Sequence, residues 1–400
     1  MNDKAKISIP LNKNTIGKIE IDRVIEVLNS GYLTLGKKCI EFEEKFASYL
    51  GVKNAIFVNS GSSANLLAFF ALTNPSMDFH KKYKPLAGKE IIVPALTWPT
   101  TIWPIIQAGA IPVFVDSSPE TLQLDVNQVK KAINSNTAGI CVVHILGNAV
   151  EMAEIRELSD KHNLWLIEDT CESLGVKHHG QYVGTFGDVS TFSFFFSHHI
   201  TTIEGGMVVT DNDDLADLIR CLRAHGWIRH MKNQKKYINK YPDIDPRFLF
   251  VNTGFNLRPS EINAVIGLEQ LKKLSDYNNT RFKIGHRWRN DLAEFSKYFK
   301  TIETTKGTEE ALFGFPIICK DKKLRDELQN YLEENRIETR PIICGNMARQ
   351  PALDHVSYKI ADTLFGADKV MDCGLYWGSN PLMTEGEISY LTQTIKSFFA

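Results

Sequence analysis

Two adjacent histidines, His198 and His199, stand in the stretch SFFFSHHITTIEGG of residues 193–206. Imidazole can ligate a metal ion, transfer protons near neutral pH or fill a core. A zinc site on this pair is disfavoured, because adjacent side chains on one strand or turn point apart and no carboxylate is suitably spaced. Proton transfer and packing remain as the two interpretations.

Three more stretches place chemical groups directly after short apolar runs. Gly61 and Ser62 in NSGSSANLL open a predicted helix whose free N–H groups suit a phosphate, although an ordinary serine N-cap is the alternative. Asp169 in EDTCESLG could be a metal ligand, an ion-pair partner or the counter-ion of a protonated heterocyclic nitrogen. Trp98 in PALTWPTT could stack on a planar cofactor or simply pack. Ligands of open α/β sheets bind beyond the carboxyl ends of the strands, so these positions form the candidate site.

The elements that position these groups alternate along the chain. Near-continuous apolar runs of strand length are separated by helical-period stretches such as 63–73, 125–134 and 150–162. Strands of this kind are buried on both faces, which predicts an α/β fold with a mainly parallel sheet covered by helices. The apolar runs are AIFVNSG, EIIVPAL, IPVFVD, GICVVHIL, LWLIEDT and VSTFSFF.

The pattern changes towards the C-terminus, where helices and strands mix without the regular alternation. The predicted elements there are helices at 259–274, 276–297 and 322–335 and strands at 311–319 and 337–344. A chain of 400 residues exceeds one simple core at roughly 150 residues per domain. We therefore predict a large domain over residues 1–274 and a smaller α+β domain over residues 275–400.

Composition and charge disfavour several classes of protein. The formal net charge is -1, so no basic field exists to attract nucleic acid or a membrane surface. No apolar segment reaches the roughly 18 residues of a membrane span, and the N-terminus lacks the apolar core of a signal peptide, which predicts a cytoplasmic protein. The seven cysteines are scattered and form no C-x-x-C pair, which disfavours disulfides, a zinc site and an iron–sulfur cluster.

The motif around His198 resembles that of the DegT/DnrJ/EryC1/StrS sugar aminotransferases, fold type I enzymes that use pyridoxal phosphate (PLP). In that family the pattern S-x-x-x-x-K-x-x-T-T-x-E-G-G contains the lysine that binds the cofactor covalently. Counting back from Gly205 and Gly206, His198 falls on that lysine and Ser193 on the family's phosphate-binding serine. The resemblance covers nearly the whole chain and implies a mainly parallel, seven-stranded sheet. The stretches that resemble the family also include residues 36–67, 168–195 and 254–271.

Histidine at the lysine position changes the implied reaction. A lysine amine condenses with an aldehyde, whereas imidazole forms no stable bond of this kind but can move protons. The stretches SHHITTIEGG, LRAHGWIRH and RPIICGN resemble the subgroup of PLP-dependent 3-dehydratases typified by the enzymes acting on GDP-4-keto-6-deoxy-D-mannose. A second histidine-bearing subgroup, which acts on CDP-linked sugars, holds an iron–sulfur cluster on clustered cysteines that are absent from this sequence.

The resemblance implies a lyase acting on a nucleotide-linked 4-keto-6-deoxy sugar, a hexose or a heptose, with GDP favoured as the nucleotide. His198 would transfer protons while the 3-hydroxyl group leaves, giving a 3,6-dideoxy-4-keto sugar for a lipopolysaccharide O-antigen or a capsule. PLP would be bound non-covalently, L-glutamate would convert it to pyridoxamine phosphate (PMP), and ammonia would be released.

The same resemblance implies roles for the residues at the strand ends. Asp169 would keep the pyridine nitrogen of the cofactor protonated, since a nearby negative charge raises the pKa of that nitrogen. Trp98 would stack on the ring. Gly61, Ser62 and Ser193 would bind the phosphate.

The resemblance implies less specific roles for four further residues, and His199 is expected only to pack or to form a hydrogen bond. Asn256 would reach the cofactor phosphate of a neighbouring subunit, which implies a homodimer with a shared active site. Glu172 would lie near the cofactor. Arg340 would bind the substrate or the carboxylate of glutamate, or else form a surface ion pair. His225 would contact the substrate or serve only in a loop.

Two rival functions fit parts of the sequence. An aminotransferase that uses another residue instead of the lysine would leave a stable amino sugar, whereas dehydration releases ammonia. A catalytically inactive regulator with the same fold is less favoured, because the phosphate site, Asp169, Trp98 and the Thr-Thr and Gly-Gly pairs are all retained.

Overall fold

The computed structural model describes residues 7–76 and 86–400. Its strands are β1 Asn54–Val58, β2 Glu90–Pro94, β3 Ile111–Val115, β4 Thr137–Val143, β5 Trp165–Asp169, β6 Lys177–His178, β7 Gln181–Tyr182, β8 Val189–Ser193, β9 Gly206–Thr210, β10 Phe299–Thr301, β11 Thr308–Glu309, β12 Gly314–Cys319, β13 Thr339–Arg340, β14 Lys359–Ile360 and β15 Gly374–Gly378.

The α-helices alternate with the strands in the first half of the chain. They are α1 Lys18–Ser30, α2 Lys37–Leu50, α3 Gly61–Leu72, α4 Pro99–Gln107, α5 Val126–Ala132, α6 Met152–His162, α7 Asp213–Arg223, α8 Gln234–Lys240, α9 Glu261–Asp291, α10 Lys322–Glu334, α11 Phe365–Cys373 and α12 Glu385–Phe399. Within the described residues, no helix has both the length and the apolar composition needed to cross a membrane.

The main sheet confirms the predicted α/β fold. Its strands lie in the order β1-β9-β8-β5-β4-β2-β3-β14, and every neighbouring pair is parallel except the two that include β9. Seven of these strands are five to seven residues long, and the two-residue β14 extends one edge. Ile92 packs with α5 and α6, whereas its neighbours Ile91 and Val93 pack with α3 and α4. Both faces are therefore covered, which explains why the strands are apolar throughout.

The C-terminal part of the chain builds a second, antiparallel sheet in the order β10-β12-β15-β13. Helix α9 runs unbroken for 31 residues, so it passes through the predicted boundary between residues 274 and 275. Ile9, near the start of the described chain, pairs with Ile337 beside this sheet. The division into domains over 1–274 and 275–400 stays a prediction.

One expected strand is much shorter than its sequence suggested. The apolar stretch 337–344 forms only the two-residue β13. Pro341 has no N–H group to donate to a neighbouring strand. Ile343 and Gly345 then have φ values of 51° and 67°, which turn the backbone away from the sheet. The prediction of a full strand there was wrong.

A buried carboxylate connects the central strand to its surroundings. Glu168 of β5 is fully buried, and its two oxygens accept five hydrogen bonds of 2.5–3.2 Å. The donors are the backbone N–H groups of Gly184, Phe186 and Gly187, the hydroxyl of Ser190 and the ring of His144. Nδ1 of His144 accepts from the Val150 N–H at 3.2 Å, so its Nε2 is the protonated nitrogen that donates to Glu168.

Replacing Glu168 by Gln is expected to destabilise the protein by about 3 kcal/mol, because the new amide turns an N–H₂ donor towards other donors. Urea unfolding of E168Q and wild type measures the difference. The same change at the exposed Glu309 is the control and should cost less than about 0.5 kcal/mol. Equal losses for E168Q and E309Q would contradict the importance of this hydrogen-bond network.

Candidate active site

The start of α3 and the end of β8 lie against each other. A Cβ atom at Gly61 would be 2.5 Å from the Ser193 Cβ, so only glycine allows this approach. A Cβ atom at Gly206 would be 2.3 Å from the carbonyl oxygen of Ser60, and the Ser60 side chain caps α3. Ser62 is exposed at the same helix end. The first N–H groups of α3 and the Ser193 hydroxyl therefore lie side by side, as a phosphate site requires.

Asp169 ends β5, and helices α3 and α4 both contribute to holding its carboxylate. Asn65 Nδ2 and Thr101 Oγ1 donate to Oδ2 at 2.9 and 2.8 Å, and the Cys171 N–H donates to Oδ1 at 3.2 Å. Thr191 donates in turn to Asn65 Oδ1 at 2.6 Å, which fixes the amide. The donors to Asp169 are all neutral, and the residue is only 4% exposed. Such a carboxylate favours a cation beside it, for example a protonated ring nitrogen.

His198 lies in the turn after β8 and is half-buried. Its ring centroid is 5.2 Å from that of Phe313. Its Nδ1 atom is buried and has no hydrogen-bond partner in the described part of the chain. Burial, with a smaller effect from the positive charge of Arg281, lowers the pKa of His198 to about 4. The imidazole is therefore neutral at pH 7, the form that can accept a proton.

His199 has a different environment from its neighbour. It is buried, and its Nε2–H donates to the carbonyl oxygen of Ala311 at 2.8 Å. Burial lowers its pKa well below the usual value, so this ring is also neutral. The expectation that His199 packs is confirmed, and its hydrogen bond fixes a segment from the C-terminal part of the chain.

Arg281 of α9 holds the same segment, residues 311–313. Its Nη1 donates to the carbonyl oxygens of Leu312 and Phe313 at 3.3 and 3.2 Å, and also to Ser379 O. Burial lowers the pKa of this guanidinium to about 10. Because Phe313 contacts His198, the 311–313 segment links the position of the candidate catalytic histidine to α9.

Glu172 follows Asp169 by three residues and faces the same region. Its Oε2 accepts the Leu146 N–H at 3.0 Å. Burial is the main cause that raises the pKa of Glu172 to about 7, and the negative charge of Asp169 acts in the same direction. The hydrogen bond from Leu146 opposes this shift. The Glu172 charge also contributes to the raised pKa values of Cys344 and Tyr376, for which burial is the main cause. A carboxyl group that titrates near pH 7 can act as an acid and as a base.

Trp98 immediately precedes α4 and is 55% exposed, so its indole is available for stacking. Cys344 Sγ donates to Thr97 O at 2.7 Å and thereby joins the loop after β13 to this helix end. Arg340 is exposed and pairs with Glu338 Oε1 at 2.7 Å, so it forms the surface ion pair considered as an alternative. Its predicted contact with substrate stays a prediction.

Asn256 and His225 lie on two neighbouring backbone segments. Ala224 pairs with Asn256, and the His225 N–H donates to Phe255 O at 2.6 Å. Both side chains are exposed, and Asn256 Oδ1 accepts from Arg258 Nε at 2.9 Å. Within the described residues of one chain, neither side chain hydrogen-bonds to another candidate residue. The role predicted for Asn256 therefore needs a second subunit.

Four residues that hold the site together were not identified from the sequence, namely Asn65, Thr101, Arg281 and Phe313. Asn65 follows Gly61 by four residues, so both lie on one face of α3, and this spacing was a usable signal. Arg281 and Phe313 gave no local signal, because they contact the site only through folding of distant parts of the chain.

Comparison with known proteins identifies a family and full-length relatives. The profile of the DegT/DnrJ/EryC1/StrS aminotransferase family matches residues 14–396. The GDP-4-keto-6-deoxy-D-mannose 3-dehydratase of Yersinia pseudotuberculosis is 36% identical over 403 residues, covering 98% of this chain and 99% of that protein. The GDP-perosamine synthase of Vibrio cholerae is 33% identical over 395 residues, covering 98% and 99%.

A solved structure shows that the similarity extends to the fold. The crystal structure of a GDP-4-keto-6-deoxymannose-3-dehydratase with a trapped PLP-glutamate geminal diamine superimposes with a TM-score of 0.87. It is 33% identical and covers 96% of this chain and 99% of that one. The similarity is therefore not confined to single motifs.

Replacing Glu172 by Gln is expected to raise the melting temperature more at about pH 8 than at about pH 5. The folded protein binds this proton more tightly than the unfolded chain, because the pKa rises from 4.5 to about 7 on folding. Wild-type stability therefore falls as pH rises through this range, and Gln removes that loss. Thermal melts at both pH values measure it. E309Q, at an exposed carboxyl, should show no such difference, and equal shifts for E172Q would contradict the raised pKa.

Proposed function

Because the chain belongs to the DegT/DnrJ/EryC1/StrS aminotransferase family, we propose that it is a PLP- and PMP-dependent 3-dehydratase of a GDP-linked 4-keto-6-deoxy sugar. The reaction removes the 3-hydroxyl group and gives a 3,6-dideoxy-4-keto sugar. L-glutamate is the amino donor, and ammonia is released. A role in making a lipopolysaccharide O-antigen or a capsule, in the cytoplasm, follows from the sequence interpretation as part of the same proposal.

The proposal rests on one observation: histidine occupies the lysine position in a site that otherwise retains its cofactor-binding groups. His198 is neutral, and its buried Nδ1 has no partner among the described residues. Imidazole cannot hold PLP covalently, but it can accept and return protons. Such a site can catalyse the loss of a hydroxyl group, whereas amino transfer in this family depends on the missing lysine.

The residues present fit PLP at both of its ends. The close approach of Gly61 to Ser193 leaves backbone N–H groups and a hydroxyl for the phosphate. Asp169 presents a negative charge for the pyridine nitrogen, and the exposed Trp98 offers a face for the ring. When bound, the cofactor supplies an electron sink and, in its amine form, an amine that combines with the ketone of the sugar.

Each side chain then has a specific role in the proposed reaction. Asp169 keeps the proton on the pyridine nitrogen. His198 accepts a proton from the bound reactants and returns it to the departing 3-hydroxyl oxygen, which leaves as water. Glu172 is a second proton-carrying group close to Asp169. Arg340 and His225 are proposed to contact the sugar nucleotide or the glutamate carboxylate.

We also propose a homodimer in which Asn256 of one subunit reaches the phosphate site of the other. Phe195 and Phe196, just before His198, are 45% and 39% exposed, and Ile203 is 48% exposed. Apolar side chains exposed beside a polar site are typical of an interface. Asn256 is also exposed, as a residue that acts across an interface must be before assembly.

An aminotransferase is the second candidate, because the Vibrio cholerae relative is a GDP-perosamine synthase. It would convert the same kind of ketone into an amine that stays on the sugar. The two activities therefore give products of different mass from one mixture.

The function is tested with PLP, L-glutamate and GDP-4-keto-6-deoxymannose, by following ammonia and the mass of the product. We expect ammonia and a sugar lighter by one oxygen atom. His198→Lys should keep PLP through dialysis, because lysine binds it covalently, and should lose dehydration. A CDP-linked substrate is the control for nucleotide choice. A stable amino sugar from the wild type, or wild-type dehydration by H198K, would overturn the assignment.

The shared site is tested by mixing two inactive variants. H198N lacks the catalytic base and N256A lacks the partner contact, so each homodimer should be inactive. Random exchange of subunits makes half of the dimers mixed, and each mixed dimer has one intact site, so activity should return to about a quarter of wild type. H198N mixed with a second inactive variant at Asp169 is the negative control and should stay inactive even when subunits exchange, because both of these changes fall within one chain's own contribution and no mixed dimer has an intact site. If the first mixture stays inactive although subunits exchange, Asn256 does not act across the interface.

A further inference from the structure

Three metal-ligating side chains meet outside the active site. One carboxylate oxygen of Glu151 and one ring nitrogen each of His178 and His179 lie within 4.8 Å of one another. Glu151 immediately precedes α6, and the two histidines stand where β6 turns into β7. Glu151 Oε1 is 3.0 Å from His178 Nε2, and the two imidazole centroids are 4.4 Å apart. No metal site was predicted here from the sequence.

The backbone explains how adjacent histidines can face one point. Successive side chains on a strand point to opposite sides, so neighbouring histidines rarely share a ligand. His179 and Gly180 have φ values of 49° and 81°, as in a type I′ hairpin turn, and this bend brings the His179 ring beside His178. The His179 N–H also donates to Gly307 O at 2.8 Å. A Cβ atom at residue 307 would lie 2.6 Å from His179 Nδ1, so only glycine at this position leaves room for the imidazole ring.

His178 has the environment of a metal ligand. It is 1% exposed, and its Nδ1 lies 3.1 Å from Thr308 Oγ1. Metal-bound histidines usually donate their second ring N–H to such an acceptor, which directs the lone pair of the other nitrogen to the metal.

The other two ligands are accessible from solvent. His179 is exposed, and the Glu151 side chain is 37% exposed. Ligand atoms around a tetrahedral zinc ion lie about 3.4 Å apart. Both exposed side chains can move inward by about 1 Å by rotation, while His178 stays in place.

We propose that Glu151, His178 and His179 bind one divalent transition-metal ion, with zinc as the best match to two imidazoles and one carboxylate. The exposed side of the site leaves a coordination position for water. The ion is assigned no part in the dehydration, so the proposal goes beyond the proposed function.

The position of the site gives a bound ion a structural effect. It would join the loop before α6 to the β6–β7 hairpin, and through Thr308 to β11, which completes the three-stranded sheet β11-β6-β7. The same loop contains Leu146, whose N–H donates to Glu172. Metal binding should therefore raise the stability of the folded protein.

The test uses the full-length protein without an affinity tag, loaded with PLP and dialysed against a chelator. Calorimetric titration with Zn²⁺ should show one ion per chain, and a slight excess of Zn²⁺ should raise the melting temperature. The exposed His179→Gln variant should bind Zn²⁺ at least about tenfold more weakly, and E151Q should be weakened in the same direction. His286→Gln, at another exposed histidine, is the matched control and should bind as the wild type does.

Two results would overturn the site. One is wild-type protein that binds no Zn²⁺ at millimolar concentration, and the other is equal binding by H179Q and wild type. None of these readouts depends on catalysis, so failure of the metal site and failure of the dehydratase function are distinguishable.

Discussion

Two neighbouring carboxylates in β5 form the constraint on which the site depends. Glu168 gathers backbone and side-chain donors from residues 184–190 and from His144, whereas Asp169 is held by Asn65 and Thr101. The pleat of the strand sends the two side chains to opposite sides. A displacement of the buried network around Glu168 would therefore also move Asp169, so the folded core and the candidate cofactor site share one rigid strand.

The histidine pair shows a similar division between adjacent residues. His199 fixes the 311–313 segment, and Phe313 of that segment contacts His198. Burial shifts the pKa values of His198 and Glu172 in opposite directions, to about 4 and about 7, and in both residues it favours the uncharged form. A neutral imidazole and a carboxyl group that is about half protonated at pH 7 can both exchange protons with a bound ligand at small electrostatic cost.

The sequence was sufficient for the α/β fold and for the strand-end positions of Gly61, Ser193 and Asp169. Both are local properties, since strands buried on two faces are apolar throughout and the motif around His198 is contiguous. Contacts between distant parts of the chain could not be predicted from the sequence, and those of Arg281 are the clearest example. Local backbone conformation was the other source of error: the stretch 337–344 turns away after two paired residues, and the rule that adjacent histidines diverge fails at 178–179.

Helix α9 has a consequence for how a bulky substrate gains access. It packs against α1 and α2, and Arg281 in its second half donates to the backbone carbonyls of Phe313 and Ser379, which flank strands β12 and β15. An uninterrupted helix bends only gently, and a sharp hinge would break its internal hydrogen bonds. A wide rotation of one half of the chain against the other is therefore costly. A bulky ligand has to enter through an opening that exists without such a rotation, and local motions of side chains set the rate at which it binds.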